Sequence, residues 1–279
     1  MIKRPSFDKQ YINAELDKLS TTVARSTTIF IIGGLALINY GLKVATKDID
    51  VVLTKPADLE VLLNALESAG YDEPNDLLVS RPYHDMEISK IMENEDGFRW
   101  DIFVKKICNK LVFSDSMASR STEFYSKAHV TLRIASKEDI FLFKGITNRA
   151  ADLDDLRLLA ESGLDWEMIR TECRHQSEAS GRLWEDALVQ NLIDLRERYG
   201  IISPIEKELR KIAEEKLIED FIVKSVAAGL TTIKAISQAK NLPYYFVREC
   251  AIKMEEKSLL IFDKKTRPYR LSLVKSDSR

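Results

Sequence analysis

The sequence is poor in the residues that build disulfide scaffolds and membrane spans. Only three of its 279 residues are cysteine and three are histidine, and no CxxC or CxxxH pattern occurs. Cys108, Cys173 and Cys250 lie far apart, which indicates reduced structural thiols. No apolar run approaches the roughly 18 residues of a membrane span, and the charged N-terminus is not followed by a long apolar segment. We therefore expect a cytoplasmic protein that has no membrane partner.

The sequence also lacks a strong overall charge, because 42 Lys and Arg face 44 Asp and Glu for a formal net charge of −2. This charge is unevenly distributed. Residues 220–279 hold twelve Lys and Arg against six Asp and Glu, which makes this tail +6 and the remainder −8. A basic tail on an acidic body suggests that the tail contacts an anionic partner such as RNA or DNA. The alternatives are a solvated basic surface without a partner and a surface that contacts only protein.

The length of the chain, 279 residues and 31.9 kDa, indicates more than one domain. Changes of pattern predict an α+β core over 1–135, a helical subdomain over 136–204 and a winged helix-turn-helix over 205–279. The helical subdomain begins where Ser136 can cap a helix, and stretches such as Ser177 to Gly181 are expected to interrupt its helices. The last part has the order helix, helix, tight turn, helix and basic hairpin, which is typical of a winged helix.

Two aspartates stand one residue apart in an apolar run of the first part, Asp48-Ile49-Asp50-Val51-Val52-Leu53. On a strand, residues i and i+2 share a face, so both carboxylates are expected to project together while Ile49 and Val51 enter the core. Two close carboxylates repel unless a cation lies between them, and hard oxygen ligands favour Mg²⁺ or Mn²⁺. The pair therefore predicts half of a metal site.

A third aspartate, Asp101, stands in the middle of another predicted strand, Phe98 to Val104. An isolated buried carboxylate costs several kcal/mol, so Asp101 needs either a shared metal or an ion pair with Arg99. Three carboxylates at one end of a sheet could hold two divalent ions about 3.5–4 Å apart. Upstream, Gly33-Gly34 ends a strand and begins a short helix, where backbone amides free of side chains could hold a triphosphate.

The glycine pair, the Asp-x-Asp fourteen residues later and the distant single Asp together resemble the nucleotidyltransferase superfamily with the DNA polymerase β type fold. More narrowly, Gly-Gly-x-Ala-Leu followed by Gly-x-x-x-x-Thr-x-Asp-Ile-Asp is similar to the minimal nucleotidyltransferases of the AbiEii toxin type. The resemblance covers residues 25–160. It implies a mixed sheet flanked by helices, an NTP as substrate and two Mg²⁺ or Mn²⁺ ions as cofactors. Val44 and Ala151 stand where these relatives often carry Arg.

The resemblance also implies roles for individual residues. The carboxylates are expected to bind the metals and catalyse, and the glycines to bind the triphosphate: Asp48, Asp50 and Asp101; Gly33 and Gly34. The relatives carry a helical Lys, a nearby Arg and Asp-x-x-Asp, and Lys144, Arg149, Asp152 and Asp155 stand in those places as nucleotide-binding residues. Alternatively, Lys144 reaches to solvent and the other three form surface charge pairs, since Arg149 and Asp152 have helical i,i+3 spacing.

Two functional hypotheses follow from these patterns. The first is an enzyme that transfers an NMP from an NTP to a hydroxyl on RNA (tRNA included), protein or a small molecule, with a toxin-like role suggested by the family alone. The second is a winged-helix regulator that binds nucleic acid and has a catalytically inactive nucleotidyltransferase-like body. Tyr244 and Tyr245, at the start of the last helix, could stack on bases, although packing in the core is the favoured expectation.

Overall fold

The computed structural model describes residues 4–74, 88–147, 149 and 152–274. The chain divides into two compact units, Met1–Ile205 and Glu206–Arg279. The three-part domain division expected from the sequence stays a prediction. No helix within the described ranges has both the length and the apolar composition to cross a membrane.

In the first unit, strands and helices alternate along much of the chain, and the last four elements are all helices. Its described strands are β1 (Phe7–Asp8), β2 (Thr27–Ile31), β3 (Ala45–Thr46), β4 (Asp48–Leu53), β5 (Lys90–Glu93), β6 (Arg99–Val104), β7 (Lys106–Ile107), β8 (Leu111–Val112), β9 (Thr122–Lys127) and β10 (Val130–Ile134). Its described helices are α1 (Lys9–Thr22), α2 (Gly34–Asn39), α3 (Ala57–Ser68), α4 (Asp115–Arg120), α5 (Lys137–Thr147), α6 (Leu153–Glu161), α7 (Trp166–Ser180) and α8 (Trp184–Tyr199).

Six strands form one mixed sheet in the spatial order β5-β6-β4-β2-β10-β9. Strands β4 and β6 are parallel, as are β2 and β10, whereas β2 and β4 are antiparallel. The inner strands β2, β4 and β6 are rich in Ile, Val and Phe and are largely buried, as central strands of a sheet covered on both faces must be. Strand β9 reads Thr-Glu-Phe-Tyr-Ser-Lys, lies at the edge and is largely exposed. The expectation of a mixed sheet flanked by helices is confirmed.

Helices α5 to α8 pack against one another through buried apolar side chains, among them Phe141, Leu156, Ile169 and Leu188. The predicted interruption at Ser177 to Gly181 begins later than expected, because α7 continues to Ser180, is capped by Gly181 and is followed by α8 from Trp184. Gly181 adopts a positive φ of 65°, a left-handed conformation that commonly ends helices. Ser177 stays helical because its hydroxyl donates to Glu185 and accepts from the amide of Trp184, partners that only tertiary folding supplies.

The N-terminal segment is anchored beside β4, which carries Asp48 and Asp50 and is called the acidic strand below. Strand β1 pairs antiparallel with β3, which places Phe7 opposite Thr46 and Asp8 opposite Ala45. Strand β3 ends at Thr46, two residues before Asp48. Because Phe7 pairs with Thr46, the residues that precede Phe7 lie close to the start of β4. This pairing carries residue 4 to the candidate site.

The second unit contains α9 (Glu206–Ala227), α10 (Ile233–Ala239), α11 (Tyr244–Glu256), β11 (Leu260–Asp263) and β12 (Arg270–Leu273). The strands form an antiparallel hairpin, and an isolated bridge joins Thr232 to Arg270. One core holds the elements together and includes Ile222, Ile236, Val247, Met254 and Phe262. The expected order of helices and hairpin is confirmed. The expectation that the two tyrosines at the start of α11 pack in this core is wrong, because Tyr244 is 45% and Tyr245 67% exposed.

Candidate functional site

The pairing of β4 with β6 brings the predicted carboxylates together. The strands are parallel and their register places Asp50 directly opposite Asp101 and Asp48 opposite Arg99. Paired residues of neighbouring strands point to the same face of a sheet, so Asp50 and Asp101 are side by side and Asp48 follows on that face. Asp101 is 1% exposed, and its Oδ1 has no hydrogen-bond partner among the residues that the structure describes. Arg99, its expected alternative partner, forms an ion pair with Glu93.

Burial and mutual repulsion raise the pKa of the two facing carboxyl groups. Burial, followed by the charge of Asp48, raises the pKa of Asp50 to about 6. Burial, followed by the charges of Asp50 and Asp48, raises the pKa of Asp101 well above the ordinary aspartate value. Negative charge is therefore costly at this position of the sheet, and a cation placed there would be strongly favoured.

The donors present fit a hard divalent cation. They are carboxylate oxygens, which Mg²⁺ and Mn²⁺ prefer, and the unpartnered Oδ1 of Asp101 is available as one of them. Among the described residues, however, no group of three or more His, Cys, Asp or Glu side chains is already gathered so that it could hold an ion. Binding would require the three carboxylates to converge, which the repulsion between them opposes until a cation is present.

The glycine pair lets the turn before α2 lie directly against the acidic strand. A β-carbon on Gly33 would stand 1.6 Å from Oδ2 of Asp50, and a β-carbon on Gly34 would stand 2.2 Å from Oγ1 of Thr46. Any larger side chain at Gly33 would therefore displace the Asp50 carboxylate. The amide of Ile32 also donates to the backbone carbonyl of Asp50 at 3.0 Å, which fixes this close approach. Binding of a triphosphate by the glycines stays a prediction.

A narrow cleft, with a water-accessible volume of about 40 Å³, opens beside the acidic strand. Four of the predicted site residues line it together: Gly33, Asp50, Lys144 and Arg149. The remaining lining residues are mainly apolar and are Ile32, Phe103, Ile107, Cys108, Phe143 and Thr147. The cleft thus joins one carboxylate, a side-chain-free backbone segment and two cations, and the charges of the two cations act to lower the pKa of Asp50.

Lys144 belongs to a chain of ion pairs beside this cleft. Its Nζ lies 2.8 Å from Oδ1 of Asp152 and 2.9 Å from Oδ2 of Asp155. Asp152 also pairs with Nε of Arg149 at 2.6 Å, and Asp155 pairs with Nζ of Lys43 at 2.6 Å. The charge pair that the alternative expected between Arg149 and Asp152 is present, but both aspartates are buried rather than at the surface. Lys144 is held inside rather than extended to solvent. The five residues carry three positive and two negative charges.

The electrostatics of this chain differ from those of the facing carboxylates. Burial acts to raise the pKa of Asp152, but the charges of Lys144 and Arg149 outweigh it and hold the pKa below the ordinary value. Asp152 is therefore an ionised structural partner of the two cations. By contrast, Asp50 and Asp101 have raised pKa values, and neither forms an ion pair with a described residue, which is typical of residues at functional sites.

Two residues at the site were missed by reasoning from the sequence. Lys43 stands beside Val44, where relatives often carry Arg, and this proximity was the only signal for it. Arg4 contacts the first aspartate, with Nη1 3.3 Å from Oδ2 of Asp48 and Nη2 donating to the carbonyl of Lys47 at 2.9 Å. No pattern near residue 4 indicates this contact, because the pairing of β1 with β3 creates it.

A mixed sheet with a glycine turn packed on an Asp-x-Asp strand, which in turn pairs with a third aspartate, is consistent with the nucleotidyltransferase class. Residues 10–200 match the family described as nucleotidyltransferase of unknown function (DUF6036). The match covers more than half of the chain, and the protein belongs to this family. No curated protein is significantly similar to it. The matched region includes every predicted site residue but neither Arg4 nor the second unit.

Proposed function

We propose that the protein is a Mg²⁺- or Mn²⁺-dependent nucleotidyltransferase that moves an NMP from an NTP to a hydroxyl acceptor. The observation that carries this proposal is the parallel register of β4 and β6, which sets Asp50 opposite Asp101. Asp48 lies two residues before Asp50 on the same face of β4. It is supported by the cleft that joins Asp50 to Lys144 and Arg149, and by membership of a nucleotidyltransferase family.

Each carboxylate has a distinct role in this proposal. Asp48 and Asp50 would hold the ions, and Asp101 would complete the site. Two ions, when bound, supply charge neutralisation at the phosphates and at the leaving pyrophosphate. Asp101 would also help to remove the proton from the acceptor hydroxyl, because a carboxylate oxygen can accept a proton as a general base.

The cationic side of the cleft binds the triphosphate in the same proposal. Lys144 and Arg149 line the cleft, and both are held there by the carboxylate of Asp152. Asp155 and Lys43 extend this support to the loop that precedes β3. Ion pairs of this kind orient the cations before the substrate arrives, which lowers the entropic cost of binding.

The hydroxyl acceptor could belong to RNA, including tRNA, to a protein or to a small molecule. We propose a nucleic acid, because we interpret the second unit as a winged helix-turn-helix with a basic hairpin. Tyr244 and Tyr245 are exposed at the start of α11, and Arg248 on the same helix is exposed as well. Exposed aromatic rings beside basic residues are suited to stacking on bases and to phosphate contacts. The likeness to AbiEii-type toxins adds growth inhibition as a proposed biological effect.

Transfer of label from NTPs to RNA tests the proposal. The full-length protein is incubated with each of the four α-labelled NTPs, Mg²⁺ and total tRNA. We expect transfer that Asp48→Ala abolishes and that Asp17→Ala, which removes an exposed carboxylate distant in sequence from the acidic strand, leaves unchanged. Equal transfer by the wild type and Asp48→Ala would overturn the assignment.

The alternative is a nucleic-acid-binding regulator with an inactive nucleotidyltransferase-like unit, which the exposed tyrosines and the +6 tail also favour. It predicts salt-dependent binding of duplex DNA by the full chain, weakened by Tyr245→Ala but not by Tyr199→Ala, which removes an exposed tyrosine of the first unit. DNA binding without metal binding or label transfer would establish this alternative. Transfer to RNA that requires Tyr245 would instead support the enzyme.

A further inference from the structure

The N-terminal segment places a permanent cation on the acidic strand. Arg4 approaches Asp48 from outside the region matched by the family, with Nη1 3.3 Å from Oδ2. A second nitrogen, Nη2, donates to the carbonyl of Lys47 at 2.9 Å. The side chains of Arg4 and Asp48 are each only 19% exposed, so this is a partly buried contact rather than a solvated surface pair.

The contact is built into the fold. Phe7, three residues after Arg4, pairs with Thr46 across the β1–β3 sheet, and its ring packs 4.5 Å from the ring centroid of Tyr11 and 4.8 Å from that of Phe98. An extended chain spans at most about 3.5 Å per residue, so an anchored Phe7 keeps residue 4 within roughly 11 Å. The anchored Phe7 therefore keeps Arg4 near the acidic strand in the folded protein.

The guanidinium of Arg4 lies against Asp48, one of the carboxylates that the proposed divalent ion would also contact. A cation that already compensates part of this negative charge necessarily competes with a second cation for it.

We infer that Arg4 is a built-in counterion of the acidic strand, which holds Asp48 in the metal-free protein and must release it when a divalent ion binds. This inference rests on the metal-dependent function proposed above. A divalent ion carries twice the charge of the guanidinium and is therefore expected to displace it from Asp48. Arg4 is a positioning residue: it keeps the Asp48 carboxylate on the site face and lowers the apparent affinity for metal.

The chain offers a matched control for removing Arg4. Arg25 makes the same pair of contacts elsewhere, since its Nη2 lies 3.0 Å from Oδ1 of Asp58 and 2.6 Å from the carbonyl of Ala57, the residue before that aspartate. Arg25→Ala therefore removes an equivalent ion pair without touching the acidic strand. Arg4→Lys keeps the charge but loses the second nitrogen that binds the carbonyl of Lys47.

The test measures Mn²⁺ binding by the full-length protein without any nucleotide, together with the melting temperature with and without Mn²⁺. We expect Arg4→Ala to bind Mn²⁺ about twofold to fivefold more tightly than the wild type, the range set by a partly exposed ion pair. Mn²⁺ should also raise the melting temperature of Arg4→Ala by more than that of the wild type. Arg25→Ala should match the wild type in both respects, and Arg4→Lys should lie between the wild type and Arg4→Ala.

Unchanged or weaker Mn²⁺ binding by Arg4→Ala would overturn the inference. If the wild type still binds Mn²⁺ and Asp48→Ala does not, the proposed metal-dependent function stands and only the role of Arg4 is refuted. If no variant binds Mn²⁺ in a manner that depends on Asp48, both are refuted. Should Arg4→Ala lose its fold, Arg4→Lys decides, because weaker binding by this folded variant than by the wild type contradicts competition.

Discussion

Replacing Asp50 by asparagine is expected to stabilise the metal-free protein at neutral pH. Burial and the neighbouring charge of Asp48 raise the pKa of Asp50 from 3.8 to about 6. Ionising this carboxyl therefore costs more in the folded chain than in the unfolded chain. Asparagine has nearly the same shape and does not ionise, and its amide can donate to the adjacent carboxylates.

The magnitude follows from the size of the pKa difference. A difference of about two pKa units at about 1.4 kcal/mol per unit amounts to at most roughly 3 kcal/mol in the free energy of unfolding. Because the folded-state pKa of Asp50 is raised, the folded protein holds the proton more tightly, and stability is lost as the pH rises from 3.8 towards 6. The advantage of Asp50→Asn should thus be small at pH 4, grow through this window and be complete above pH 6.

Urea unfolding in EDTA at pH 4, 6 and 8 measures this dependence. All three tryptophans, Trp100, Trp166 and Trp184, belong to the first unit, so tryptophan fluorescence reports its unfolding alone. The control Asp58→Asn removes a buried carboxylate that pairs with Arg25 and should lower the free energy of unfolding at pH 8. The reasoning is refuted if Asp50→Asn gains nothing over the wild type between pH 4 and pH 8.

Two further predictions use the same fluorescence assay. Asp152→Asn should lower the free energy of unfolding at pH 8, since two cations hold the pKa of Asp152 below 3.8. The loss of stability relative to the wild type should shrink only as the pH drops below that value. An equal loss at pH 3 and pH 8 would contradict this prediction. Gly33→Ala should cost about 1–3 kcal/mol and abolish Mn²⁺ binding, because its methyl group collides with the Asp50 carboxylate. As a control, Gly41→Ala should cost about 1 kcal/mol of stability, because φ is 73° at this position, but should keep Mn²⁺ binding, because nothing lies within 4 Å of the added methyl group. Equal loss of Mn²⁺ binding in Gly33→Ala and Gly41→Ala would contradict the role of the close approach between Gly33 and Asp50.

Local patterns predicted the longer elements well. Apolar periodicity after Pro56 predicts a helix over Ala57 to Ser68, and α3 has the same bounds. The run that carries Asp48 and Asp50 predicts a strand over Lys47 to Leu53, and β4 begins one residue later. These segments carry their own signals, namely apolar periodicity, a proline at the start and glycine at the end. The two-residue strands and the edge strand β9 were not predicted, because each depends on pairing with another strand rather than on its own pattern. The paired residues of β1 and β3 also lie about forty positions apart in sequence.

The sequence by itself determined which residues could form the site. Asp48 and Asp50 share a face through the two-residue period of a strand, and the glycine pair must end the preceding strand, since both effects act between neighbours in the chain. Only the tertiary structure decided that Asp50 faces Asp101, because that depends on the parallel register of strands far apart in sequence. It likewise decided that Arg4 lies on Asp48, through a β1–β3 pairing that links residues about forty positions apart and that no local pattern encodes.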